Sequence, residues 1–464
     1  MSLEDTLYPL LKLYEAAPQP VKSLAGRALR AVPNSVRHGV EYVRFQRDAR
    51  EVESWDAECI RQYQIHALRA SLVAAQKTPF YAKRFAEFGV DAEKFESLSQ
   101  LTDYPVITKQ DVIDQREFML NPGYPASQRL MLTTAGSTGT PMAFYLHAGV
   151  SRAKEQAYME AMWARVGYEP GARVAVLRGH AVTGSKSWYF DASRNWMIFS
   201  SAMLTEAMAA EYVTQINRYR PSFIHAYPSS AMLLAEYMTA GGIKIECEIK
   251  ALLCGSEHMS LDDKSWLEKA YGTKVFRWLG HSERVVLAGE GRVSSEFYFC
   301  PTYGFVEFGK PSADGLCEVI GTSFHNHVMP LIRYRTCDYV RLASDGTTRE
   351  LPWPCITEIA GRESEFVIAK DGRRVPLTVV NMHDDCYDGW SALQFHQAKP
   401  GEMEVCYVPG DGFQDDSLMR VEARLLQRLG PGFVLRFRAV SEVQRTEAGK
   451  RRWLVSTMNK REES

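Results

Sequence analysis

The sequence predicts an α/β protein. A large N-terminal domain of parallel sheets covered by helices closes on a β module, and a small α+β domain follows. Three observations predict this. From about residue 128 to 330, short β-branched or aliphatic runs alternate with helical stretches, as in strands buried on both faces. From about 316 the texture shifts to strands joined by Ser344-Asp345-Gly346, a hairpin-type turn. After Gly361 a new set of strand runs surrounds one amphipathic helix.

Taken in order, residues 1–75 read as mostly helical, with Arg27, Arg30, Arg37, Arg44, Arg47 and Arg50 spread among apolar residues. They read as a solvated helical face packed on the body, with a membrane-surface role as the alternative. Phe144-Tyr145-Leu146 reads as a strand, as do 173–177, 223–226, 251–254 and 274–278. Helices are expected over 151–166, 205–219 and 230–240. The β module places strands over 318–322 and 339–342. In the last unit, strands over 366–369 and 373–375 flank Asp371-Gly372, a tight-turn signal. Strands over 392–396 and 403–408 precede Leu418, Val421, Leu425 and Leu429 at helical spacing, which Gly430-Pro431 stops. Leu435, Phe437 and Ala439 then alternate with Arg436 and Arg438, as in a half-buried strand. The expected division is a helical segment over 1–75, a large domain over 76–361 and a small domain over 362–464.

Lys and Arg number 55 and Asp and Glu 56. A charge this close to zero argues against a general nucleic-acid binder, which is clearly basic. No uncharged apolar run approaches the ~18 residues that span a bilayer, so no transmembrane segment is expected. Glu4 and Asp5 stand where a signal peptide is basic, so no export signal is read. The nine cysteines are dispersed, odd in number and without C-x-x-C spacing, which fits a reducing, cytoplasmic setting.

The sharpest motif is Thr133-Thr134-Ala135-Gly136-Ser137-Thr138-Gly139-Thr140-Pro141. Glycine lets a backbone approach an anion closely, and N–H groups with hydroxyls can bond phosphate oxygens. No lysine follows Gly139, and a strand rather than a helix comes next, which disfavours a P-loop. The bland alternative is a polar surface turn.

This string resembles the phosphate loop of the adenylate-forming superfamily, [ST]-[ST]-G-[ST]-T-G-x-P, with Ala135 in place of a hydroxyl residue. Further matches follow in order. Gly255-Ser256-Glu257 resembles the adenine-pocket segment, and Leu279-Gly280-His281-Ser282-Glu283 resembles Y-G-x-[ST]-E. Tyr334-Arg335-Thr336-Cys337-Asp338 resembles Y-R-T-G-D, Gly361-Arg362 resembles the opening of G-R-x-x-D, and Lys450 sits where the superfamily keeps a near-terminal lysine. Tyr227-Pro228-Ser229-Ser230 and the 329–334 stretch look like the phenylacetate–CoA ligase branch, closest to members linked to capsular polysaccharide biosynthesis.

The resemblance implies ATP, Mg²⁺ and a carboxylic acid, with coenzyme A as the usual acceptor. A sugar or carrier acceptor in polysaccharide biosynthesis is the alternative, and a degenerate nucleotide-binding protein is the rival outside catalysis. It implies that Thr134, Gly136, Ser137, Thr138 and Gly139 hold phosphates, that Glu283 holds Mg²⁺, and that Ser282 lies near the α-phosphate. It assigns ribose to Asp338, ribose or phosphate to Arg362, and the meeting of carboxylate and nucleotide to Lys450. Gly255, Ser256, Glu257, Gly280 and His281 line the nucleotide site. Tyr227, Trp278 and Leu279 are the expected pocket walls, as neighbours of these motifs. The small domain is expected to be mobile about 361–365.

Departures accompany the matches. Cys337 replaces a glycine, which is costly where φ is positive. Leu279 replaces an aromatic residue, and Ser364 and Glu365 replace the usual hinge residues. A metal site from Cys254, His258, His281 and Cys300 is set aside, because convergence of several donors is not readable in sequence. His325-Asn326-His327 and the 383–386 string read as structural polar residues, and no nucleophile elbow is present.

Overall fold

The computed structural model describes residues 17–134, 142–179, 187–257, 259–311, 315–344, 349–359, 366–372, 374–376, 389–410, 412–444 and 454–456, with residues 3, 7, 14, 380 and 387. Helices α1 (Gln19–Ala31), α2 (Asn34–Arg37), α3 (Gly39–Glu51) and α4 (Ala57–Gln76) come first, followed by α5 (Pro79–Phe88) and α6 (Lys109–Gln115). Their starts are set chemically. The carboxylate of Asp56 accepts from the Cys59 N–H, and the Thr78 and Thr108 hydroxyls accept from the first turns of α5 and α6. Leu68, Leu72 and Ala75 of α4 share one core with Tyr81 and Phe85 of α5.

Strands β1 (Arg129–Thr134) and β2 (Met142–His147) form an antiparallel pair in which Thr134 faces Met142. The hydroxyl-rich string is therefore the connection of a hairpin; its residues 135–141 lie outside those described.

After α7 (Ser151–Trp163) the chain alternates through β3 (Val174–Arg178), β4 (Trp188–Asp191), β5 (Trp196–Ser200), α8 (Glu206–Tyr219), β6 (Phe223–Ala226), α9 (Pro228–Ala240), β7 (Ala251–Gly255), α10 (Leu261–Tyr271) and β8 (Lys274–Gly280). Strands β5, β3, β6, β7 and β8 are parallel neighbours. Both faces are covered, which is why β7 reads as an apolar run and β6 as one interrupted by His225. On one face Tyr212, Ile216, Leu234 and Leu267 pack from α8, α9 and α10. On the other, Tyr42 and Phe45 of α3 pack with Ala157 and Met162 of α7.

Strands β9 (Leu287–Glu290), β10 (Phe297–Phe299), β11 (Gly304–Phe308), β12 (Cys317–Ser323), β13 (Tyr334–Leu342) and β14 (Cys355–Ile359) complete the body. The expected β module is not free-standing. It continues the parallel sheet edge to edge, giving a 12-stranded sheet ordered β11-β12-β13-β14-β10-β9-β8-β7-β6-β3-β5-β4 among the described residues. The β8–β9 junction is held by a buried network: Glu290 accepts from Lys264 Nζ at 2.8 Å and Arg277 Nε at 2.7 Å.

The C-terminal unit begins with the hairpin of β15 (Phe366–Ile368) and β16 (Arg374–Pro376), its turn carrying Gly372 at φ 83°. Then come β17 (Trp390–Lys399), β18 (Glu402–Pro409), α11 (Asp416–Leu429), β19 (Val434–Ala439) and β20 (Leu454–Ser456), with sheet order β19-β18-β17-β20. Leu393, Phe395 and Val405 pack on Val421, Leu425 and Leu429. Arg428 Nη1 of α11 donates to the Gly179 carbonyl of the large body at 3.3 Å.

Candidate active site

Parallel strands place their C-terminal ends on one edge, and in open α/β sheets that edge is where ligands bind. Here it carries Arg178 at the end of β3, Tyr227 after β6, Gly255-Ser256-Glu257 at the end of β7 and Gly280-His281-Ser282-Glu283 at the end of β8. The structure brings three sequence motifs to this edge, and Arg178 beside them.

Two carboxylates define its floor. Asp338 rises from β13, where the β12 register shifts between Glu318 and Ile320. The Thr336 hydroxyl donates to the Val319 carbonyl at 2.9 Å and accepts from the Asp338 N–H at 3.2 Å. This bulge swings the Asp338 side chain toward β8, where its Oδ2 lies 2.7 Å from His281 Nε2. Glu283, in the turn after β8, accepts from the Tyr334 hydroxyl at 3.2 Å. The same hydroxyl lies 3.9 Å from Met142 Sδ, the first residue of β2. Tyr334 thus ties Glu283 to the exit of the hydroxyl-rich connection, two motifs far apart in sequence.

Of the seven described non-glycine residues at positive φ, three lie around this edge. Ser256 has φ 75°, Arg284 φ 55° and Cys337 φ 62°. Non-glycine residues in this region are costly and cluster at functional sites. At Cys337 the positive φ explains why the resembled pattern has glycine there. Gly255 is needed for a different reason: a Cβ there would lie 2.3 Å from Trp278 Cε2.

One side of the edge is a cation over aromatics. Arg178 Nη1 lies 2.7 Å from His225 Nε2, and Nη2 donates to the Ser256 hydroxyl at 2.6 Å. Its guanidinium sits 4.5 Å from the Tyr227 ring centroid and 6.0 Å from that of Trp278. Sequence reasoning missed Arg178 and His225. The available signal was a charged residue directly after the apolar 174–177 run. Glu257 turns elsewhere, accepting from the Ser229 N–H and hydroxyl, both at 2.9 Å, at the start of α9.

The grouping of Trp278 with Leu279 is corrected. Neighbouring strand residues point to opposite faces. Trp278 packs with Trp163 and His225, whereas Leu279 is buried among Val285, Ala288 and the 328–332 residues. Leu279 is a core residue, and Tyr227 and Trp278 stand on the Arg178 side. The remaining site residues named from sequence, Gly136, Ser137, Thr138, Gly139, Arg362 and Lys450, lie outside the described residues, as do the side chain of Thr134 and the 361–365 segment.

Among the described residues one set of potential metal donors converges, His396, Glu404 and Cys406 in the small unit. Arg438 already supplies positive charge there, donating to Glu404 at 2.9 Å and lying 3.2 Å from Cys406 Sγ. Cys254, in β7, is fully buried, and burial raises its thiol pKa. The eight described cysteines are free thiols.

No protein-family model matches the chain. Among curated proteins it is 26% identical over 350 residues to a phenylacetate-coenzyme A ligase of Pseudomonas putida, covering 71% of this chain and 76% of that one. It is 22% identical over 404 residues to protein CapK of Staphylococcus aureus, covering 82% and 86%. Among solved structures it matches 2-hydroxyisobutyryl-CoA ligase in complex with 2-HIB-AMP and CoA with a TM-score of 0.56 at 18% identity, covering 88% of this chain and 91% of that one. The postadenylation state of that ligase, in complex with R3-HIB-AMP, gives 0.55 at 17% identity, covering 88% and 92%. The chain has the fold of the adenylate-forming CoA ligases and is similar in sequence to phenylacetate-coenzyme A ligases and to CapK.

Proposed function

We propose that this chain is an AMP-forming acid ligase. It joins a carboxylic acid to the α-phosphorus of ATP with release of pyrophosphate, and then passes the acyl group to coenzyme A with release of AMP. The observation that supports this most is the convergence of Asp338, His281, Glu283 and the β1–β2 hairpin on one strand edge, in the order the superfamily motifs require. Two anions must meet in the first step, so the site has to stabilise charge that develops on phosphate. In this reading Asp338 accepts from the ribose hydroxyls, the 134–139 string holds phosphates, and Lys450 reaches the reacting carboxylate from a mobile small domain beyond 361. Arg178 and Tyr227 form the wall that meets the acid.

Glu283 fits Mg²⁺: it is half-buried, accepts from a neutral phenol, and makes no ion pair among the described residues. Mg²⁺ takes one or two carboxylates plus phosphate oxygens. Glu283 would hold the ion, which when bound offsets phosphate charge. The free thiols and the need for ATP and coenzyme A support a cytoplasmic setting in this reading.

The test is exchange of labelled pyrophosphate into ATP, screened over aryl, fatty, amino and sugar acids. Acid-dependent exchange is the expected result, lost in Lys450→Ala. AMP binding without exchange for any acid class would instead identify a non-catalytic nucleotide-binding protein. Exchange without coenzyme A consumption would move the acceptor to a sugar or carrier.

A further inference from the structure

The outer surface of the first helices is built the wrong way round for a face meeting only water. The inner side of α1 rests on Gly26, where an added Cβ would lie 2.7 Å from the Ser193 N. Arg37, in α2, donates to the Ser193 carbonyl at 2.8 Å. Tyr42 and Phe45 anchor α3 in the body. With the inner side thus fixed, the residues left outside are apolar to an unusual degree. In α1 they are Val21, Leu24, Ala25, Ala28 and Ala31, spaced as one helical stripe, with Leu24 73% exposed. In α2 the exposed apolar residue is Val36, and in α3 they are Val40 and Val43, one turn apart, with Val40 77% exposed. Soluble monomers rarely gather large apolar side chains this way, and such gathering marks an interaction surface.

Charge decides what the surface meets. The exposed arginines of α1 and α3 are Arg27, Arg30, Arg44, Arg47 and Arg50, and Glu51 is the exposed acid between residues 19 and 51. Glu41 pairs with Arg44 at 2.6 Å and Asp48 with Arg47 at 3.3 Å, so these two acids offset two of the five arginines and a net positive excess remains. The whole chain carries a net charge of −1, so this local excess is not a bulk property. Two copies meeting through this face would oppose arginines with arginines. A polyanion alone would use the arginines and leave the valines in water. An anionic bilayer surface satisfies both, taking the apolar side chains into the headgroup–acyl boundary and the guanidinium groups at the phosphates. No described helix is long and apolar enough to cross a membrane, so the contact is peripheral.

We propose that α1 to α3 form a peripheral membrane-docking face for anionic lipid. It lies on segments separate from the candidate active site and does not rest on the proposed reaction. The experiment is co-sedimentation of the full chain with vesicles of phosphatidylcholine alone and of phosphatidylcholine with phosphatidylglycerol. Binding is expected to the anionic vesicles and not to the neutral ones. It should fall at roughly 1 M salt, where the Debye length shrinks to about 3 Å. Each arginine removed should weaken it by about fivefold. The double variants Arg27→Glu/Arg30→Glu and Val40→Asp/Val43→Asp should each abolish it while keeping the parent melting temperature. Because these side chains are exposed, both variants should fold. Equal binding to both vesicle types, or to neither, overturns the proposal. So does loss in the arginine variant alone, which would show adsorption without insertion. A concentration-dependent dimer abolished by Val40→Asp/Val43→Asp also overturns it, because a second copy would then cover the face.

Discussion

His281 Nε2 lies 2.7 Å from Asp338 Oδ2, so a residue at the end of a parallel strand orients a carboxylate carried by a bulge 57 residues later. The pairing has a functional consequence. With one oxygen held by the imidazole, the Asp338 carboxylate has a fixed plane at the strand edge, as the proposed ribose contact requires.

Asp338→Ala is therefore expected to weaken AMP and ATP binding by about ten- to a hundredfold, the size of losing a hydrogen bond to a charged group. His281→Ala should cost less than Asp338→Ala, because the carboxylate stays and only its orientation is released. Calorimetric titration of AMP into each variant measures both. Parent-like affinity in Asp338→Ala would remove that residue from the nucleotide site.

Cys337→Gly is expected to stabilise the protein. A non-glycine residue at φ 62° costs on the order of 1–2 kcal/mol, of which the extra unfolded-state freedom of glycine returns roughly half. The Cys337 side chain is exposed, so no core packing is lost. The net gain should be about 0.5–1 kcal/mol in unfolding free energy, seen as a higher denaturant midpoint at unchanged m, and Cys337→Val should move it the other way. A lower midpoint for the glycine variant would mean that the thiol makes a contact worth more than the strain.

The strands most legible in sequence are those whose burial on both faces writes a mostly apolar run, such as Phe223–Ala226, in which His225 is the one polar residue and whose bounds are those read. Strands β4 and β9 carry a weaker local signal, because Trp188–Asp191 and Leu287–Glu290 each end on a carboxylate and the second holds a glycine. Continuity of the β module with the parallel sheet was also hidden. It depends on the pairings Phe297↔Glu290 and Phe297↔Ile356, and pairing partners leave no local signature. Within the candidate site, motifs with a fixed spacing were readable. Arg178, whose partners His225 and Ser256 lie 47 and 78 residues away, was not.

Arg178→Lys separates charge from geometry. Lysine keeps the positive charge but loses the planar fork that joins His225 and Ser256 while stacking on Tyr227. If this wall meets the acid, kcat/KM for the acid should fall on the order of tenfold, about one neutral-to-charged hydrogen bond. AMP affinity should stay at the parent value. Steady-state pyrophosphate release with the acid varied, beside an AMP titration, makes the comparison. Equal loss in both would assign Arg178 to the nucleotide instead.

The last expectation concerns acid. Burial, followed by the charges of His147, Arg44 and Lys154, pushes the His327 pKa from 6.5 down to about 4. Burial likewise holds His325 well below its ordinary value. Burial also lowers Lys154 to about 7, while its Nζ donates to the Phe324 carbonyl at 3.1 Å. All three groups are depressed in the folded state, so unfolding takes up protons and stability falls as pH falls. The Lys154 window runs from 10.5 to about 7 and closes before the histidine window opens. Loss of stability between 6.5 and about 4 therefore belongs to the histidines and to whatever carboxylates begin to protonate. His327 alone contributes at most on the order of 3 kcal/mol across that window. His327→Gln keeps a polar side chain and cannot protonate there. Its unfolding free energy should lose up to about 1.4 kcal/mol less per pH unit than the parent, read from denaturant midpoints at several pH values. Carboxylates titrate equally in both proteins, so they cancel in the difference. Parallel curves for variant and parent would show that His327 binds its proton as readily folded as unfolded.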